Sequence, residues 1–275
     1  MLVIASNITS RSAKVDRIFR TAKAEGWKSD QFAARAIQAI AHCCADAGAD
    51  VLEINTQQHH DRPEAMEFAV KAIQQVTDRR LCLSTNNPDT LKAGLKACKK
   101  LPIANYIGLD EARLKEMLPV IADSGADVIL MVSDPVSPTD AQEMMEKASI
   151  LVGAARESGI ANNQIFVDPG LVHVTRDIGQ RHLVEVMEFL RTLPEVFDPP
   201  VGSTCWLANS SAGAARRVRT MIETALLPML AGVGLSSVFL DALKPVNMRT
   251  IQLIKVFNNE TVYSDGGIEQ ALVKK

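Results

Sequence analysis

The chain has 275 residues, of which 47% are hydrophobic and 23% charged, enough apolar material to bury a sizeable core. Thirty Lys and Arg against thirty-two Asp and Glu leave a formal charge of −2, so no strongly basic face marks the chain as a nucleic-acid reader. The opening MLVIASNITSR lacks the basic leader of a targeting peptide, no apolar run reaches the length of a membrane span, and five scattered cysteines resemble reduced thiols, so a cytoplasmic protein is expected.

Short apolar runs alternate with longer segments of helical period, and Gly, Asp, Asn or Pro marks each join. In chain order, strand 2–6 is followed by helix 30–47, strand 51–55 by helix 62–76, and strand 81–85 by helix 88–99. Strand 103–105 leads to helix 110–124, strand 128–132 to helix 139–158, and strand 165–168 to helix 180–193. Strand 202–207 then precedes helix 212–231, and strand 237–240 precedes helix 246–257. The runs VLEI, LCLS, VILMV and IFV are almost continuously apolar, as parallel strands covered on both faces require. DAGADVLEI and DSGADVILM echo one another, each with a glycine where a helix stops before an apolar strand. Eight such units without a linker predict an α/β fold, a (β/α)8 TIM barrel, as a single domain over residues 1–275. A doubly wound open sheet is disfavoured because residues 6–13, after the first strand, contain no glycine.

A barrel of this kind works at the C-terminal ends of its strands. Standing there are Ser6 and Asn7, Glu53 and Asn55, Ser84 to Asn87, Asn105, Ser133 and Asp134, Asp168, Asn209 with Ser210 and Ser211, and Asp241. Such a ring is rich in hydrogen-bonding groups and poor in nucleophiles, which suits a flat, nitrogen-rich heterocycle whose edge is satisfied group by group. Any one of these residues is as readily explained as a cap on the following helix. Metal chemistry has little support: His42-Cys43-Cys44 lies in an apolar helical segment, His59-His60-Asp61 stands apart, and neither CxxC nor HExxH occurs. Arg216, Arg217 and Arg219 read more simply as a solvated helix face than as an anion site.

These residues resemble the methyltetrahydrofolate:corrinoid-protein methyltransferases, pterin-binding relatives of dihydropteroate synthase. The resemblance rests on MLVIASNI, LCLSTNNPDTLKAGLKAC, IANY, IFVDP, LANSS and ETVYSD, in shared order along nearly the whole chain. It implies a (β/α)8 barrel that binds tetrahydrofolate or methyltetrahydrofolate as substrate. The family's pterin-binding amide falls on Asn105, its sixth-strand carboxylate on Asp168, and the asparagine near the N5 methyl group on Asn209. The family's third-strand carboxylate falls on Ser84, which would make a neutral contact in its place, and a first-strand glutamate falls on Ser6.

The resemblance further implies an SN2 methyl transfer between N5 and a cobalamin carried by a partner corrinoid protein, with Asn209 as the catalytic residue and no metal held by the chain itself. A homodimer is implied as well; that neither nucleic acid nor membrane is a partner is expected from the near-neutral charge and the short apolar runs. With two carboxylates missing, transfer onto tetrahydrofolate is the direction expected, as in the second methyltransferase of O-demethylase-type systems, because N5 then needs its lone pair and not a proton. Two rivals remain: a dihydropteroate synthase-like enzyme, for which NTQQHHDRP lacks the usual pyrophosphate loop, and a non-catalytic pterin-binding subunit of a corrinoid complex.

Overall fold

In the computed structural model the described residues are 1–28, 31–134 and 136–266, without the side chain of His59. Asp30, where the first helix was expected to begin, lies outside them. Eight parallel strands run in the order of the chain: β1 (Leu2–Thr9), β2 (Val51–Asn55), β3 (Arg80–Ser84), β4 (Ile103–Ile107), β5 (Asp127–Met131), β6 (Ile165–Asp168), β7 (Gly202–Ser203) and β8 (Ser237–Leu240). Each pairs with its neighbours in sequence from β7 back to β1, and β1 pairs with β8. Closure between β7 and β8 is looser than a ladder. There Trp206 and Phe239 form a parallel bridge, Phe239 N donates to Cys205 O over 2.8 Å, and Ser236 Oγ donates to Ser203 O over 2.8 Å. The result is a nearly closed (β/α)8 TIM barrel, as the sequence predicts.

The helices are α1 (Ala13–Ala24), α2 (Phe32–Asp46), α3 (Gln57–His60), α4 (Pro63–Ile73), α5 (Pro88–Ala97), α6 (Glu111–Ser124), α7 (Ala141–Glu157), α8 (Gly179–Val196), α9 (Arg216–Gly232) and α10 (Pro245–Phe257). The sequence reading left α1 out. Val15, Ile18, Phe19 and Ala22 recur at three- and four-residue spacing and are all buried, so the helix packs an apolar stripe inward even though half of its residues are polar. The seventh strand was expected over 202–207 but only Gly202–Ser203 carries regular pairing, and the following helix begins at Arg216, not at 212. Leu207–Ser211 instead coils into a 3-10 turn, with Asn209 N donating to Trp206 O over 3.0 Å. The two echoed glycines take the backbone angles that only glycine adopts cheaply, with φ of 97° at Gly48 and 71° at Gly125, each ending a helix before a strand.

Inside the barrel, Ile4, Val51, Cys82, Ile103, Ile129 and Phe239 pack together as an apolar floor. Strand side chains alternate, so residues two positions on share the same face one layer higher. Glu53, Ser84, Asn105 and Asp168 stand two residues beyond Val51, Cys82, Ile103 and Phe166, and all four are buried. The intervening residues, such as Leu52, Leu83, Ala104 and Val167, face the helices and join the larger outer core. One chain pattern thus builds both an apolar base and a polar layer at the C-terminal mouth.

Candidate functional site

The polar layer is a hydrogen-bonded chain across three neighbouring strands. Asn105 Nδ2 donates to Ser84 Oγ over 3.0 Å, the Ser84 hydroxyl interacts with the Glu53 carboxyl, and Asn55 Nδ2 donates to Glu53 Oε1 over 3.1 Å. The β2–β3 and β3–β4 registers set Asn55 opposite Ser84 and Ser84 opposite Asn105, so these contacts follow directly from strand pairing. Asn105 Oδ1 accepts the Tyr106 backbone N–H over 2.8 Å, which fixes the amide's orientation. The two predicted residues Ser84 and Asn105 are therefore in contact, and a carboxyl group, Glu53, stands beside Ser84 on the adjacent strand.

Glu53 is fully buried, and desolvation pushes its carboxyl up to about 8, against the smaller opposing effects of Ser84, Asn55 and Arg11. At neutral pH it is mainly protonated. Its Oε2 has no hydrogen-bond partner among the described residues, and neither do Thr204 Oγ1 and Trp206 Nε1, which are also buried at the β7 side of the barrel. Leaving a buried polar group unpaired costs about 1–3 kcal/mol, so these atoms are groups that a bound molecule or water can satisfy.

Asp168 ends β6. It is buried, accepts Gly170 N over 2.8 Å, and desolvation pushes it up to about 7 while that hydrogen bond opposes the rise. The turn behind it is tightly specified. Gly170 has φ of 76° and lies so close to Ser133 that a Cβ would collide with that side chain, while its carbonyl accepts His182 Nε2 over 2.7 Å. Asn209 lies apart from these residues, exposed on the 3-10 turn at the rim.

On the β1 and β8 side the mouth opens into a cleft of about 300 Å3 lined by Ser6, Asn7, Glu223, Asp241 and Lys244 among others. Glu223 is held by Ser211 Oγ at 2.7 Å and Lys244 Nζ at 2.9 Å. Asn7 Nδ2 donates to Asp241, and Asn7 Oδ1 accepts Ala242 N over 3.0 Å. Other strand-end residues do cap helices: Asn87 Oδ1 accepts Asp89 N at 2.9 Å and Thr90 N at 3.1 Å at the start of α5. Of the triplet of arginines, Arg216 and Arg217 are exposed, and Arg219 Nε donates to Ala214 O over 2.8 Å. His42 pairs with Asp46 along α2, and His60 stacks on Phe19 and meets Asp16 Oδ1 at 2.9 Å.

The sequence reading named Glu53 among the strand-end residues without giving it a role, and passed over Arg11, Tyr106 and Trp206. A glutamate inside the otherwise apolar run VLEI was the available signal, since a carboxyl in a strand buried on both faces must have a partner or stay neutral.

A search against family models matches residues 24–238 to the pterin binding enzymes. A methylcorrinoid:tetrahydrofolate methyltransferase from Eubacterium limosum is 21% identical over 201 residues, covering 72% of each chain. Among solved structures, dihydropteroate synthase from Xanthomonas albilineans in complex with 7,8-dihydropteroate superposes with a TM-score of 0.69 at 17% identity, covering 96% of this chain and 94% of that one. The Stenotrophomonas maltophilia dihydropteroate synthase gives 0.67 at 17% identity with the same coverage. Those two likenesses concern the fold, whereas the family match spans the strands that build the polar layer, β2 through β7. With that match, the chain belongs to the pterin binding enzyme family.

Proposed function

We propose that the protein is a methyltransferase that moves a methyl group between a corrinoid carried by a separate protein and N5 of tetrahydrofolate. The observation that carries this reading is the buried chain Asn105–Ser84–Glu53–Asn55 on β2 to β4, with the buried carboxyl of Asp168 at the end of β6 in the same barrel mouth. This donor set fits a pterin, whose edge alternates ring nitrogens, N–H groups and a carbonyl. The similarity to the Eubacterium limosum methyltransferase favours methyl transfer over condensation with a second aromatic substrate.

In this reading Asp168 accepts N–H groups of the ring edge, and Asn105 with Ser84 holds the opposite part of the edge. Asn209 orients N5 from the rim. The partner's corrinoid would supply the methyl group and keep the electron pair of the carbon–cobalt bond, and the proton that N5 loses on methylation would pass to solvent through the open rim. Catalysis by this chain is then mostly positioning: a rigid buried cradle fixes the ring while the open rim leaves N5 accessible to a large partner. Glu53, neutral at pH 7, keeps the pocket floor uncharged and leaves the N5 lone pair available. That tunes the site to the step in which N5 accepts the methyl group, the direction used in an O-demethylase-type system, by a cytoplasmic homodimer, while the equilibrium of the reaction is set by its reactants.

The test is an anaerobic spectroscopic assay with methylcobalamin and tetrahydrofolate. Loss of the methylcobalamin spectrum with formation of methyltetrahydrofolate supports the proposal. Tight folate binding with no methyl transfer to or from any corrinoid points instead to a non-catalytic pterin-binding subunit.

A further inference from the structure

Tyr106 breaks the alternation of β4. Asn105 points into the barrel, so in a regular strand Tyr106 would face the helices. It has instead a φ of 76°, in the left-handed region that bulky side chains avoid, and the β4–β5 register shifts between Ala104 and Ile107. Asn105 Oδ1 pins this conformation through the Tyr106 N–H.

The bulge turns the phenol back over the mouth. Its ring centroid lies 6.2 Å from that of Trp206, which in turn stacks flat on Phe239 at 4.5 Å and 8°. The Arg11 guanidinium sits 5.8 Å from the Tyr106 ring centroid, and Arg11 Nη2 is steadied by Gln57 Oε1 at 3.3 Å. The hydroxyl has the Asn55 amide beside it and stands in the fields of both Glu53 and Asp168. Tyr106 thus has both carboxyls of the site and the Arg11 cation in its surroundings.

Backbone strain of this kind persists where the surroundings over-determine it, and it gathers at ligand sites. We infer that Tyr106, backed by Arg11, is the stacking wall that positions a flat heterocycle against Asn105 and Asp168. The inference rests on the pterin-binding reading and deepens it by naming the residue that sets the plane of the ring. The edge contacts identify the ligand's hydrogen-bonding groups, while the tyrosine face fixes its tilt and rewards planarity. Arg11 draws electron density from the face and orients it.

The experiment compares tetrahydrofolate binding by anaerobic calorimetry in the wild type and in Tyr106→Phe, Tyr106→Leu and Arg11→Met, with urea unfolding of each. Tyr106→Phe keeps the aromatic face and should bind within about twofold of the wild type. Tyr106→Leu keeps apolar bulk but loses the face, and should bind at least about tenfold more weakly while unfolding near the midpoint of Tyr106→Phe. Arg11 is exposed, so Arg11→Met should fold whatever the fate of Tyr106→Leu, and should bind about two- to fivefold more weakly. Wild-type affinity in both Tyr106→Leu and Arg11→Met overturns the inference and leaves the pterin-binding reading standing. Binding losses that only follow the unfolding midpoint, equally in Tyr106→Phe and Tyr106→Leu, overturn it as well. A wild type that binds no pterin overturns both.

Discussion

Replacing Glu53 by Gln should flatten the pH dependence of stability. The carboxyl titrates near the ordinary glutamate value of 4.5 in the unfolded chain and is pushed up to about 8 in the folded protein by burial. Between these limits the native state holds a proton that the unfolded state has released. Stability therefore falls as pH rises through that window, by about 1.4 kcal/mol per pH unit and about 5 kcal/mol in all. The contribution is fully present below the unfolded pKa and gone above the folded one. Glu53→Gln keeps the shape and an oxygen to accept from Asn55 Nδ2, yet cannot ionise. Urea unfolding from pH 5 to 9 should show the variant close to the wild type at pH 5 and several kcal/mol more stable relative to it at pH 9. Parallel curves for the two proteins would refute the claim that Glu53 is buried in its neutral form.

Other residues give separate expectations. Asp168 is pushed up to about 7 in the free protein, and a ring N–H bound to its carboxylate would pull it back down, so folate binding at pH 7 should release a fraction of a proton. Calorimetry in buffers of different ionisation enthalpy measures this, and an enthalpy independent of buffer would contradict it. Ser84→Asp should shift the ratio of single-turnover rate constants between enzyme-bound species toward methyl donation by methyltetrahydrofolate, with the overall equilibrium unchanged, because a second carboxyl beside Glu53 favours a cationic N5. Unchanged rate constants in both directions at fixed pH would remove the argument for direction. Asn209 is exposed, so Asn209→Ala should leave stability within about 0.5 kcal/mol while lowering the methyl-transfer rate at least about tenfold. Equal rates would take Asn209 out of the mechanism.

How much of this was readable without coordinates depends on where the controlling physics lies. The barrel was legible because parallel strands covered on both faces write themselves as apolar runs, and because Gly48 and Gly125 mark two of the joins. The polar layer was legible as a list of strand ends, since Ser84, Asn105 and Asp168 each sit two residues above an apolar floor residue. What the list did not contain was register. Only the pairing of Asn55 with Ser84, and of Ser84 with Asn105, sets the serine on β3 beside a carboxyl on β2. Tyr106 was illegible for a related reason: strand alternation predicts an outward side chain, and the bulge that reverses it is a tertiary feature. The omission of α1 was avoidable, because its buried stripe at Val15, Ile18, Phe19 and Ala22 is plain in the sequence. The shortening of β7 was not, since closure there depends on serine side chains and on a single bridge between Trp206 and Phe239.

The central claim, that the polar mouth of this barrel holds a pterin by Asp168, is tested most directly by anaerobic calorimetric titration with tetrahydrofolate and methyltetrahydrofolate, on the wild type and on Asp168→Ala. Removing a buried hydrogen bond to a charged group costs about 1.5–3 kcal/mol, so the variant should bind at least about tenfold more weakly than the wild type, with the fold retained by circular dichroism. No binding of either folate by the wild type, or equal binding by a folded Asp168→Ala, would contradict it.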